Sequence, residues 1–414
     1  MTRTLSIPGP TLAEFEAARA VVAHVAQVTP MESSRFLSRA LGSEVLLKCE
    51  NLQRTGSYKL RGAYNLISSL TDEERSRGVV AASAGNHAQG VARAAHALGI
   101  KATIFMPIGV ALPKLQATQD YGAEVVLAGN IFNESLKAAK DFVAETGAIF
   151  IPPFDHPAVV AGQGTLGLDI LDQVADVDTV IVPIGGGGLI SGVASAMKQR
   201  AAELGRSLRV IGVQAENAAA YPPSLAAGKP VKIDVLPTIS DGIAVATPGA
   251  LNFEIIKNVV DEVVTVSDDD TARALVLLLE RAKLVVEPAG AVGVAAILAG
   301  KVTNAGKTVV ILSGGNIDPM LMQRIIAHGL AASERYLKLR IMLPDRPGQL
   351  ARTAQLVSEA NANVVEVLHT RHGKLQINEA ELELHIETRG HDHRLAVVKK
   401  LTDEGYQVRI LADD

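Results

Sequence analysis

The sequence contains no tryptophan, and aromatic residues make up only 3% of its 414 positions. Aromatic cages and stacked-base platforms need several such rings, so neither is its means of holding a ligand. With one cysteine, Cys49, it can form no internal disulfide, which fits a reducing compartment. Cys49 ends the strand-like run Val45–Leu46–Leu47–Lys48 and reads as a small packing residue. Charge of one sign is also lacking: 40 Lys and Arg against 44 Asp and Glu leave a net charge of -4. No strongly basic face for nucleic acid follows from that balance. Long hydrophobic runs are missing too. The most apolar stretch, Ala274 to Leu298, is interrupted by Glu280, Arg281, Lys283 and Glu287, so it is not a membrane span. Met1 to Pro10 has no apolar run of signal-peptide length. The expectation is a cytoplasmic protein without a membrane partner.

What is present is a chain with 48% hydrophobic residues, enough to bury a large core in two or three domains. From 45 to about 325, short β-rich runs alternate with helical runs. Val79 to Ser83 reads as a strand, and Ala88, Val91, Ala92, Ala95 and Leu98 then keep the spacing of one helix face. The rhythm continues through strands at 102–106, 124–127, 179–184, 208–214 and 308–312, with helices at 113–121, 133–145 and 189–204. Such alternation predicts an α/β fold with parallel-rich sheets covered on both faces, whose ligands sit at the carboxyl ends of the strands. The C-terminal stretch changes character. Strands at 336–343, 363–372, 379–388 and 406–411, with helices at 347–360 and 393–403, give the β-α-β-β-α-β order of a ferredoxin-like unit. Residues 326–334 read as the linker.

Four segments carry chemistry: Ser57-Tyr58-Lys59-Leu60-Arg61-Gly62, Ser83-Ala84-Gly85-Asn86-His87, Gly185-Gly186-Gly187-Gly188-Leu189 and Ser313-Gly314-Gly315-Asn316. A tight strand-to-helix turn needs one or two glycines, not four. Four successive residues with no side chain, at a positively polarised helix start, make a phosphate cradle. The dinucleotide fingerprint fails, because Ile190 stands where a third glycine is needed after Gly185 and Gly187. The nucleoside-triphosphate loop fails as well: Gly187 and Gly192 have its spacing, but Val193 replaces its lysine. Lys59 adds the missing clue. A desolvated lysine has a depressed pKa and can condense with an aldehyde. Lysine and cradle together are what pyridoxal 5'-phosphate (PLP) requires. Read singly, Lys59 is also an ordinary surface lysine and Ser313 an ordinary turn residue.

The run from Cys49 to Ala63 resembles the PLP-lysine segment of the threonine ammonia-lyases, which are two-domain fold-type II PLP enzymes. Ser83 to Gly90, the four glycines and Ser313 to Ile317 are similar to the same family in the same order. The similarity spans roughly residues 10 to 325. It implies a PLP-dependent catalytic region over 1–325, with a small domain of about 45–155 inserted in a larger one. It further implies L-threonine as substrate, 2-oxobutanoate and ammonia as products, and a monovalent cation as a possible additional ligand. By the same resemblance, Lys59 would bind the cofactor and take the Cα proton, and Asn86 would bond its ring oxygen. Gly185, Gly186, Gly187, Gly188 and Leu189 would hold its phosphate, and Ser313 would face its pyridine nitrogen. Ser83, Gly85, Asn86 and His87 would receive substrate, with His87 positional rather than a proton carrier. Glu287 resembles the family's acidic residue beside the ring; a helix-entry glutamate before Pro288 is the competing reading.

Serine racemase and serine dehydratase share these motifs. The racemase carries a second serine directly before the glycine of its Gly-Asn-His segment; here that position is Ala84, which has no proton to give. Its carboxylate pair for a divalent metal is incomplete, with Glu216 matched but Pro222 in the second place, so no metal site is expected. Leu343 to Leu350 resembles the first turn of ACT domains, so 335–414 is expected to be an ACT-like regulatory domain that binds an amino-acid effector, isoleucine first. The resemblance also implies isoleucine biosynthesis and a homodimer or homotetramer. A non-catalytic amino-acid-binding regulator is the alternative from another class. His391-Asp392-His393 reads as a helix cap at Asp392 between two exposed histidines rather than a metal site.

Overall fold

A computed structural model describes residues 8–332, 334–371 and 377–411. The chain divides into two compact units, the first ending at Asp318 and the second beginning at Pro319.

The first unit holds two sheets. The larger has six strands in the order Met31–Ser33, Val45–Lys48, Thr308–Ile311, Thr179–Pro183, Arg209–Ala215, Glu262–Val266. Only the first pair is antiparallel. The smaller has four parallel strands in the order Glu124–Leu127, Ala102–Met106, Val79–Ala82, Ile149–Phe150. Strands buried on both faces read as continuous apolar runs, as Val79–Ala82 and Thr179–Pro183 do. One expected boundary needs correction. Val45–Lys48 pairs with Thr308–Ile311 in the larger sheet, so the inserted lobe does not begin at 45.

Helix Pro157–Gln173 joins the two lobes. Its Val159 packs in the smaller lobe's core with Leu60, Ile67 and Val79, while its Val160, Leu166 and Ile170 pack in the larger. Burying Leu60 or Ile67 fully contributes roughly 1.5–3 kcal/mol each. Its neighbours approach at backbone distance. A Cβ on Gly162 would lie 2.6 Å from the Arg61 carbonyl oxygen, and one on Gly192 would lie 2.5 Å from the Gly164 nitrogen. Helices Lys59–Ser68 and Gly188–Glu203 are thus seated against one shared helix, and their N-termini carry two of the four chemical segments.

The second unit opens with helix Pro319–Ala332, so most of the expected linker is helical. Its sheet is fully antiparallel, in the order Asn363–Thr370, Glu379–Glu387, Tyr336–Pro344, Gln407–Ile410. Leu337, Leu339, Ile341 and Leu343 alternate inward and pack with Leu356, Val357, Val397 and Leu401 of the two helices. This is the ferredoxin-like arrangement expected; His372, at the end of one expected strand, lies outside the described residues. Asp392 is not a cap. The helix His391–Asp403 has Gly390 at its N-cap and Asp392 in its first turn. His391 pairs with Glu334 at 2.7 Å and His393 donates to the Ala360 carbonyl at 2.8 Å. No helix among the described residues is long and apolar enough to cross a membrane.

Candidate active site

Three of the segments lie just beyond strand ends, the Lys59 segment follows two short 3-10 turns, and the fold brings all four together. Lys59 begins its helix, and its Nζ donates to the Pro153 carbonyl oxygen at 3.1 Å, 5.3 Å from the Tyr58 ring centroid. Burial lowers its pKa to about 8, against a smaller opposing pull from Glu287. The next residue along from Pro153, Phe154, lies against the glycine loop: a Cβ on Gly186 or Gly188 would collide with it. Asp155 then accepts from the N–H groups of Ala250, Leu251 and Asn252, which fixes this segment. Segment 153–155 therefore holds Lys59 and the glycines side by side.

Gly187 has φ +103, a left-handed conformation that glycine adopts readily, and there the strand turns into helix Gly188–Glu203. The Gly186 carbonyl is turned away from the loop's mouth, accepting from Tyr221 Oη at 3.1 Å and Asn252 Nδ2 at 3.3 Å. Among the described residues, the N–H groups of Gly185 to Leu189 have no hydrogen-bond acceptor, although all but Gly185 belong to buried residues. Five such donors at a helix N-terminus fit an anion.

Ser313 is 4% exposed, and its hydroxyl has no partner among the described residues. Its carbonyl accepts from the Tyr58 N–H at 3.2 Å, which sets it beside Lys59. Asn86 opens helix Asn86–Ala97 and donates through Nδ2 to Glu287 Oε1 at 2.7 Å. Glu287 is the helix-entry residue before Pro288, and its carboxylate accepts from Asn86. Ser83 Oγ accepts from the Gly85 N–H at 3.2 Å. The N–H groups of Asn86 and His87 are unpaired among the described residues. Asn316 joins this group by donating to Asn86 Oδ1 at 2.8 Å. It stood inside a quoted motif, but nothing in its local pattern assigned it a task.

His87 Nε2 donates to the Ile151 carbonyl oxygen at 2.9 Å, which settles the neutral tautomer with Nδ1 unprotonated. Burial first, then the nearby Lys59 charge, push its pKa down to about 3. It is therefore expected to stay neutral to at least pH 4, as heteronuclear NMR of the imidazole would show. In the unfolded chain it protonates near 6.5. Stability is thus full above that value and lost as pH falls towards 3, by about 1.4 kcal/mol per pH unit. An imidazolium signal at pH 5 in the folded protein would refute this. Cys49 is buried and its thiol is pushed up to about 12 by burial, so it is inert.

A half-buried lysine of low pKa beside a largely buried array of free N–H donors fits an aldehyde that carries a phosphate. The model of a family described as "Pyridoxal-phosphate dependent enzyme" matches residues 22–314. The L-threonine ammonia-lyase of Thermotoga maritima is 47% identical over 402 residues, 97% of this chain and 99% of that protein. The chain belongs to the pyridoxal-phosphate-dependent enzyme family. It is a PLP-dependent lyase. The catabolic L-threonine dehydratase TdcB of Escherichia coli K12 is 48% identical over 293 residues, 70% of this chain and 88% of its own length. Among solved structures, maize serine racemase is similar with a TM-score of 0.71 at 35% identity, over 78% of this chain and 98% of that one.

Proposed function

We propose that this enzyme deaminates L-threonine to 2-oxobutanoate and ammonia by β-elimination. The reaction removes the Cα proton and the β-hydroxyl as water; hydrolysis of the resulting enamine releases ammonia. The observation that carries the reading is the junction at 153–155, where the Lys59 amine and the glycine loop meet. Bound PLP supplies the electron sink that stabilises negative charge at Cα. Lys59 would hold the cofactor covalently and its freed amine would take the Cα proton; burial already lowers its pKa to about 8 in the free protein. The N–H groups of Gly185 to Leu189 would receive the phosphate. Asn86 would hydrogen-bond the ring oxygen, and the Ser313 hydroxyl would face the ring nitrogen. Ser83, Gly85 and the free N–H groups of Asn86 and His87 receive the substrate carboxylate at a helix N-terminus.

Similarity to a serine racemase supports a second reading, and Ala84 argues against it. Reprotonation on the far face of Cα needs an acid there, and an alanine methyl supplies none. The PLP-loaded protein given L-threonine, with L- and D-serine alongside, is expected to release 2-oxobutanoate and to form no D-serine. Interconversion of the serines without release of 2-oxobutanoate would reverse the assignment. The second unit has a cavity of about 220 Å³ lined by Leu343 to Leu350, His369 and Arg371. Its glycine turn at Gly348 and its two arginines, Arg346 and Arg371, suit an amino-acid effector as in ACT domains.

A further inference from the structure

Asn86 is held at both ends. Its Oδ1 accepts from Asn316 Nδ2 at 2.8 Å, and its Nδ2 donates to Glu287 Oε1 at 2.7 Å. An asparagine amide can in general be turned over, exchanging oxygen for nitrogen. Here the Asn316 side forces the choice, and the Glu287 side agrees with it. Asn316 Nδ2 also donates to the Thr55 backbone carbonyl at 2.7 Å and to Gln89 Oε1 at 3.3 Å. A backbone carbonyl only accepts, so Asn316 must present its NH₂ group, and Asn86 must answer with oxygen. At the far end a carboxylate also prefers to accept, so Asn86 must offer it nitrogen.

The flanking groups are themselves anchored. Thr55 has φ +73, a left-handed conformation unusual for a β-branched residue, and it is buried. Such strain persists only where surrounding structure over-determines it. Glu287 is fixed through its backbone N–H, which donates to the Gly314 carbonyl at 3.0 Å, and through the following Pro288. One N–H of Asn86 is left over, with no acceptor among the described residues.

We propose that Glu287 and Asn316 are positioning residues that clamp Asn86, so that it presents one N–H, and never its oxygen, to the cofactor's ring oxygen. This rests on the PLP reading above. A fixed donor there favours the ionised ring oxygen; a freely turning amide does not. Burial holds the Glu287 carboxyl at about 7, with the Asn86 hydrogen bond, Lys114 and Lys59 opposing and Asp241 reinforcing that rise. A hydrogen bond of unchanged direction through the glutamine isostere is therefore a fair substitute.

The test is PLP binding without substrate, followed by fluorescence and by the visible absorption of the bound cofactor. Asn316→Ala and Glu287→Ala are each expected to weaken PLP binding about tenfold. Each also moves absorbance from the visible band to the near-ultraviolet. Glu287→Gln recovers most of both losses. In an Asn86→Ala background, Asn316→Ala is expected to have little further effect, because its action passes through Asn86. Full additivity of the two, or single variants with wild-type spectra and affinity, would overturn the clamp. A wild-type protein that binds no PLP would overturn the cofactor reading itself, and the clamp with it.

Discussion

Lys59→Ala is expected to lower threonine turnover by about 10³-fold or more and to leave PLP removable by dialysis. Two separate functions are lost with one amine: the covalent anchor and the acceptor for the Cα proton. The structure prepares Lys59 for both. Burial brings its pKa to about 8, so about a tenth is the free amine at pH 7, far more than for an ordinary lysine. The 3.1 Å bond to Pro153 aims Nζ at the junction with the glycine loop. Lys59→Arg preserves charge and length but is not expected to rescue, because a guanidinium stays protonated at working pH. Product assay and the absorption spectrum after dialysis check both halves. An alanine variant with near-wild-type turnover would remove Lys59 from the mechanism.

The alternating strands and helices of the first unit were legible because each strand is a short apolar run closed by glycine or a polar turn. The glycine loop and Lys59 were legible because their residue types are wasteful anywhere but at a site. Helix Pro288–Leu298 and the middle of helix Pro157–Gln173, residues 159–170, show no apolar stripe, because their residues are buried all round and there is no solvent face to set a period. The lobe boundary was misread at Val45–Lys48 for a related reason: its partner strand, Thr308–Ile311, lies far away in sequence, and no local pattern announces that pairing. Asn316 was hidden for the same cause, and for Glu287 only the family resemblance pointed beyond a helix-entry glutamate. Each acts through a partner more than 200 residues distant, Asn86, and a side-chain amide gives no sign in sequence of which way it faces. Arg61 was visible as a neighbour of Lys59 but not as the centre of an ion network, since its partners Glu50 and Asp169 come from different elements.

Arg61→Met is expected to destabilise the first unit by about 3–5 kcal/mol, the usual consequence of removing one partner from a buried ion pair. Arg61 donates to Glu50 through Nε and Nη2, each at 2.9 Å, and to Asp169 at 2.8 Å. All three side chains are nearly inaccessible. Without the guanidinium, two carboxylates are left buried, with Arg19 at 3.9 Å from Asp169 and Lys48 as the cations still nearby; the Lys48 Nζ is engaged by Thr29 and Gln173. Arg61 is two residues past Lys59, so the same network also fixes the start of the catalytic helix, and turnover should fall with stability. The pH dependence separates this from a simple packing loss. Burial acts to raise the Glu50 pKa, but the Arg61 charge and hydrogen bonds prevail and hold it below the ordinary carboxylate range. A depressed folded pKa means that Glu50 stabilises the wild type above about pH 4.5 and ceases to as pH falls through the folded value. In the variant that depression is gone and burial dominates, so protonation in mild acid relieves it. The stability gap between the two proteins is therefore expected to narrow from pH 7.5 to pH 5, measured by urea unfolding at each pH. A gap that is constant with pH would mean that Arg61 acts through its packing and not through its charge.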